Sequence, residues 1–315
     1  MPKWLKVYLS GVLMGAADVV PGVSGGTMAF IIGIYSRLIS ALSGVNRQSI
    51  AMLCKGDVKG LWQHFDGGFL LALLLGIITS IFGLASLITT LLQDYPVWLW
   101  SFFFGLIIAS AYVLIHEMPA FTIKHGLIML IGISVGSGLS LLVPTQVNTN
   151  LVMVFCSGMI AICAMILPGI SGSFILLMLG MYGFIITSVK DLNFVVIIVF
   201  TTGAVLGLLS FSKLLNWLLT HAKSVTLAML TGIMLGALVK VWPWKEAVSF
   251  IDVGSKRLPA QEQLLLPWNM DNFVLIDGLI IPCGLILLGA LFVLGTHYIF
   301  LQKANATVTN PDLCK

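Results

Sequence analysis

A proline-centred break inside an apolar run occurs twice in this chain, and it restricts the fold more than any other feature. Val7 to Val20 is apolar, Pro21-Gly22-Val23-Ser24-Gly25-Gly26-Thr27 interrupts it, and Thr27 to Leu42 resumes it. The interruption returns 147 residues later as Pro168-Gly169-Ile170-Ser171-Gly172-Ser173. The flanks keep that offset: Gly11 matches Gly158, Gly33 matches Gly180, and Tyr35 matches Tyr182. Proline lacks a backbone N–H and disfavours helix at the residue before it, while glycine admits backbone angles closed to other residues. Helix is therefore expected to stop near Val20 and restart between Ser24 and Thr27, where a hydroxyl can cap the new N-terminus.

The surroundings make such a break expensive. Of 315 residues, 59% are hydrophobic and 9% charged, with mean hydropathy +1.07. A soluble domain carries about 25% charged residues, so this is an integral membrane protein. In lipid, broken backbone survives only inside protein or beside a water-filled cavity. Its freed N–H groups and the positive end of the helix dipole suit an anion. Broken helices at matching places in two halves are also the best sequence pointer to a transporter's binding site. Close packing of small residues explains scattered glycines, but not a proline break repeated in register. The candidate substrate-binding residues are therefore Pro21, Gly22, Ser24, Gly25, Gly26 and Thr27, with Pro168, Gly169, Ser171, Gly172 and Ser173.

Three full-length apolar spans follow each break: Phe69–Leu92, Val97–Ile115 and Gly126–Val143, then Phe194–Leu219, Val225–Trp242 and Phe273–Phe300. The segments flanking each break are too short to cross a hydrocarbon core of about 30 Å alone. Later glycines also pair, Gly76 with Gly203 and Gly105 with Gly232, now 127 apart. The lost 20 residues match a polar insertion at about 45–67. The expected fold is an all-α polytopic membrane protein of two repeats, 1–147 and 148–303, with a flexible tail at 304–315. Each repeat has a broken, re-entrant helix pair and three transmembrane helices. An odd number of crossings per half inverts the second repeat. With the N-terminus inside, eleven basic residues fall inside and five outside (Lys190, Lys240, Lys245, Lys256 and Arg257), which places both termini in the cytoplasm.

Asp18 lies three residues before the first break, where a carboxylate is expensive and marks an ion or proton pathway by default. It is either a coupling residue for a proton or cation, or a brace for the broken backbone; its counterpart is Met165. Arg37, near the end of the resumed helix, either attracts a phosphate or snorkels to the interface. Gly22-Val23-Ser24-Gly25-Gly26 fits the G-x-S-x-G pattern of a nucleophile elbow. Its five histidines fall in loops or near span ends, and a second serine repeats the motif, so an intramembrane serine hydrolase is the weaker reading. The five cysteines have no metal spacing, and neither a cofactor nor a nucleic-acid partner is expected.

Gly15-Ala16-Ala17-Asp18-Val19-Val20-Pro21-Gly22-Val23-Ser24-Gly25-Gly26-Thr27, followed by Gly33-Ile34-Tyr35, resembles the signature of the PopT family of bacterial membrane proteins. Ala164 to Ser173, with Gly180-Met181-Tyr182, resembles that family's second signature. One departure is Ser36, where the family pattern is associated with an acidic residue. The resemblance implies transport of undecaprenyl phosphate, the lipid carrier of surface-polymer synthesis, across the bacterial cytoplasmic membrane. The implied partners are that polyprenyl phosphate, membrane lipids and a coupling ion, proton or sodium. Read from the residues alone, a channel or exchanger for a small inorganic anion remains the alternative.

Overall fold

The computed structural model describes residues 3–19, 24–116, 118, 121–141, 149–253, 256–270 and 274–309. Its opening unit is not one broken pair but three short helices: α1 (Lys3–Val19), α2 (Gly25–Ile31) and α3 (Tyr35–Leu42). The expected single helix Thr27–Leu42 is thus divided, and the cause is Gly33 at φ +76°. Gly33 N–H bonds to Phe30 O and Ile34 N–H to Ala29 O, both at 3.0 Å, the paired closure of a left-handed glycine cap. The second unit repeats this in α9 (Leu151–Ile166), α10 (Gly172–Met178) and α11 (Tyr182–Lys190). Gly180, at φ +65°, ends α10 through the same two bonds, Gly180 N–H to Leu177 O and Met181 N–H to Leu176 O. Helices α10 and α11 meet at 108°, so this pair bends back sharply.

Between the first unit and the long helices, the polar insertion forms α4 (Arg47–Cys54) and α5 (Val58–His64). The long helices of the first part are α6 (Gly67–Asp94), α7 (Pro96–His116) and α8 (Ile123–Leu141). Those of the second are α12 (Phe194–His221), α13 (Lys223–Gly236) continued by α14 (Leu238–Val241), and α15 (Ile281–Thr309), entered through a π-helical turn at Ile276–Ile280. Among the described residues six helices are long and apolar enough to cross a membrane, as expected from the sequence. The chain is a multi-pass membrane protein. The boundary expected at 147/148 lies outside the described residues; α15 continues past 304, and 310–315 are likewise outside them.

The repeated glycines mark where helices touch. A side chain at Gly11 would strike the Leu73 carbonyl of α6, and one at Gly158 the Phe200 carbonyl of α12. The α1–α6 and α9–α12 crossings are therefore equivalent. Gly105 fits α7 against Ile286 of α15, whereas Gly232 fits α13 against Met129 of α8. Each inner helix thus pairs with an outer helix from the other part of the chain. More than half of α7 and α13 is buried, while α6, α8, α12 and α15 keep broad apolar faces outward. That is the division expected between a protein interior and lipid.

The polar stretch between the last two spans, which its charge and length read as a loop, is a two-stranded antiparallel hairpin, β1 (Lys245–Val253) and β2 (Lys256–Leu264). Val248, Phe250, Ile251 and Val253 favour extended backbone, and Gly254-Ser255 is a two-residue hairpin signal.

Candidate substrate site at the two broken motifs

The two motifs interlock. Ser24, the N-cap of α2, accepts from Gly26 N–H at 3.0 Å and donates to Met165 O at 3.0 Å. Tyr35 OH donates to Ile166 O at 3.1 Å. The last carbonyls of α9, which a helix C-terminus leaves unpaired, are thus capped by hydroxyls from the first unit, Ser24 of the motif and Tyr35 of α3. In return Gly169 N–H donates to Thr27 Oγ1 at 2.8 Å. These contacts are close: Ser24 and Thr27 are buried, and Gly26 lies so near the Met165 and Ile166 carbonyls that a Cβ would sit 2.7 Å from Ile166 O. Gly169, at φ +87°, packs against the α13 backbone at Met234.

Asp18 explains part of this order. Its Oδ1 accepts the Gly25 N–H at 2.6 Å, so a carboxylate already occupies the N-terminus of α2. Burying that carboxylate without a backbone partner would cost several kcal/mol. At the corresponding place in the second motif stands Met165. Ser171 makes no side-chain cap to α10; its hydroxyl bonds instead to that of Ser173 at 2.8 Å. Gly172 packs on the Ala161 carbonyl.

The structure thus brings Ser24, Gly25, Gly26, Thr27, Asp18 and Gly169 together with the end of α9, and sets Ser171, Gly172 and Ser173 at the start of α10. Pro168 lies in the turn between α9 and α10. Pro21 and Gly22 lie outside the described residues. Arg37 is engaged with neither motif: its Nε donates to Asp66 Oδ2 at 2.7 Å and its guanidinium covers the Phe69 ring. The hydroxyl of Ser24 is committed to a carbonyl, and His64, His116, His125 and His221 hydrogen-bond elsewhere.

Sequence reasoning assigned no role to Tyr35, although its register with Tyr182 was a signal. Trp100 and Trp244 stand near the ends of apolar runs, where aromatic belts form, yet both are buried, and Trp244 Nε1 donates to Gly278 O at 2.7 Å. Thr231, fully buried on α13, has no hydrogen-bond partner for its hydroxyl among the described residues. Nothing in its sequence context distinguishes it from the threonines that bond back to their own helix.

Residues 14–256, which include both motifs, match the VCA0040-like family, described as undecaprenyl phosphate translocase-like. The chain belongs to this family. A polyprenyl-phosphate transporter of Vibrio cholerae serotype O1 is 44% identical over 271 residues, covering 86% of this chain and 88% of that protein. A polyprenyl-phosphate transporter of Staphylococcus aureus is 32% identical over 264 residues, covering 76% of this chain and 87% of that protein. No solved structure matches the chain. Both motifs lie within the matched residues, and their contacts are enclosed by apolar helices.

Proposed function

We propose that this protein moves undecaprenyl phosphate, or a related polyprenyl phosphate, across the bacterial cytoplasmic membrane without chemical change, recycling the carrier lipid. The observation that carries the reading is the pair of interlocked broken motifs, supported by two relatives named as polyprenyl-phosphate transporters. The phosphate is held near mid-membrane between the opposed starts of α2 and α10. Because Asp18 already fills the start of α2, the second motif, with Ser171 and Ser173, takes the larger share. The repeats are inverted, both termini are cytoplasmic, and Asp18 braces backbone rather than coupling an ion. Bonds from Ser24 to a backbone carbonyl favour binding over nucleophilic catalysis.

Cells lacking the protein provide the test. Undecaprenyl phosphate should accumulate on their outer surface and return to normal on complementation. An unchanged carrier distribution, with loss of inorganic anion flux instead, would replace this reading with that of an anion channel or exchanger.

A further inference from the structure

Two lysines and one glutamate meet where the hairpin joins the helices. Lys240, on α14, places its Nζ 2.6 Å from Glu262 Oε2. Lys245, at the start of β1, lies 3.4 Å from Glu262 Oε1 and donates to the Lys240 carbonyl at 2.6 Å. The hairpin register explains the meeting: Ala247 faces Glu262, so Glu262 falls diagonally from Lys245 on the same face. The cluster is largely enclosed, with the three side chains 18%, 5% and 16% exposed for Lys240, Lys245 and Glu262. Lys245 Nζ stands 3.9 Å from the centre of the Trp100 ring, and Lys240 Nζ 5.0 Å from that of Phe174. Phe174 belongs to the first turn of α10, so the cluster borders the second motif.

The charges do not balance. Two ammonium groups share one carboxylate in a poorly solvated place, and an uncompensated buried charge is strongly unfavourable. Burial lowers the Lys245 ammonium to about 8, with Glu262 opposing that shift and Lys240 adding to it. Burial likewise opposes ionisation of Glu262, but the charges of Lys245 and Lys240 outweigh it and hold the carboxyl below its ordinary value. Such a site lacks about one negative charge. Its only carboxylate among the described residues stands on a hairpin whose two strands pack chiefly against each other, so displacing it would disturb little of the helical packing.

We propose that Lys240 and Lys245 form an anion-docking site for a phosphate monoester, with the Glu262 carboxylate as the resident group that the phosphate displaces. The proposal rests on the transport reading for the identity of the lipid, and it places an entry point beside the second motif. A phosphate would gain two ammonium donors in a site of low dielectric, where charge-assisted bonds are strongest. Free phosphate shares that chemistry.

The test uses purified full-length protein with geranyl phosphate, geraniol and inorganic phosphate as probes. Geranyl phosphate should bind the wild type and geraniol should not. Lys240→Met and Lys245→Met should each weaken geranyl phosphate about tenfold, as expected for loss of a charged hydrogen bond. Glu262→Gln should tighten it, because the competing carboxylate is removed. A merely structural ion pair would instead make Glu262→Gln bind more weakly, and that result overturns the proposal. So do three variants that bind within twofold of wild type, or a wild type that binds neither phosphate. If those variants also move carrier lipid normally in liposomes, the transport reading survives without this site. Binding of inorganic phosphate alone, in the expected variant order, would support the docking site and count against the lipid reading. Competition between both phosphates supports a site that accepts either source.

Discussion

The two motifs share a sequence pattern but not a state. In the first, Asp18 holds Gly25 N–H, Ser24 caps α2, and Thr27 and Tyr35 reach across to α9 and the following turn. In the second, Met165 replaces the carboxylate, Phe174 stands where Thr27 stood, and the hydroxyls of Ser171 and Ser173 bond to each other. One motif is a closed clasp, and under the proposed transport reading the other is left to receive the phosphate. The lesson is chemical: a half-helix start stabilised by its own carboxylate has little affinity left for a phosphate, because like charges would have to share it.

The largest expected effect comes from removing the clasp. Asp18→Ala leaves Gly25 N–H unpaired, at a cost of about 2–3 kcal/mol, which should appear as poor expression and a lowered melting temperature. Asp18→Asn keeps the shape and an acceptor, so it should fold and transport nearly as wild type. If Asp18→Asn folds well yet loses its response to a proton or sodium gradient, Asp18 is a coupling residue and the contrast between the motifs must be redrawn. The reciprocal change, Met165→Asp, should install a carboxylate beside the receptor motif and suppress transport while the fold survives.

A second pair separates what the repeats still share. Gly33→Ala and Gly180→Ala each put a side chain at positive φ, at Gly33 into open space, and the backbone strain should destabilise each by about 1–2 kcal/mol. Thermal unfolding of the two variants should give similar shifts; a large disparity would mean that the two breaks are not equivalent. Tyr35→Phe and Tyr182→Phe should differ instead. The first loses the bond to Ile166 O, worth about 1 kcal/mol, whereas the second loses no cross-motif bond among the described residues.

The smallest effect concerns the charged cluster beside the second motif. Lys245 has its folded value near 8 and an ordinary value of 10.5, so between those pH values the unfolded chain holds more protons. Stability should therefore rise with pH across that window, and Lys245→Met should flatten the rise. A profile identical in both proteins would show that the ammonium is better solvated than its burial implies.

Much of this was legible in the sequence because membrane spans and proline breaks are local signals. The six long helices and the first stop of each broken unit follow from hydropathy and from Pro21 and Pro168. The second stop, at Gly33 and Gly180, escaped because a single glycine in an apolar run reads as easily as packing as it does as a cap. The hairpin escaped because Lys, Glu, Gln and Ser dilute its alternation. Spacing alone leaves Asp18 open between coupling and bracing, since it cannot show that the carboxylate folds forward seven residues to Gly25. The Lys240–Glu262–Lys245 cluster depends on a strand register that periodicity does not reveal.

The central claim is best tested in liposomes loaded with undecaprenyl phosphate, with a membrane-impermeant phosphatase reporting how much reaches the outer leaflet over time. The wild-type protein should speed transfer well beyond that of empty liposomes. The Ser171→Ala, Ser173→Ala double variant should be slower than wild type at an unchanged melting temperature. Transfer by the wild type no faster than in empty liposomes, or undiminished transfer by the double variant, would contradict the account.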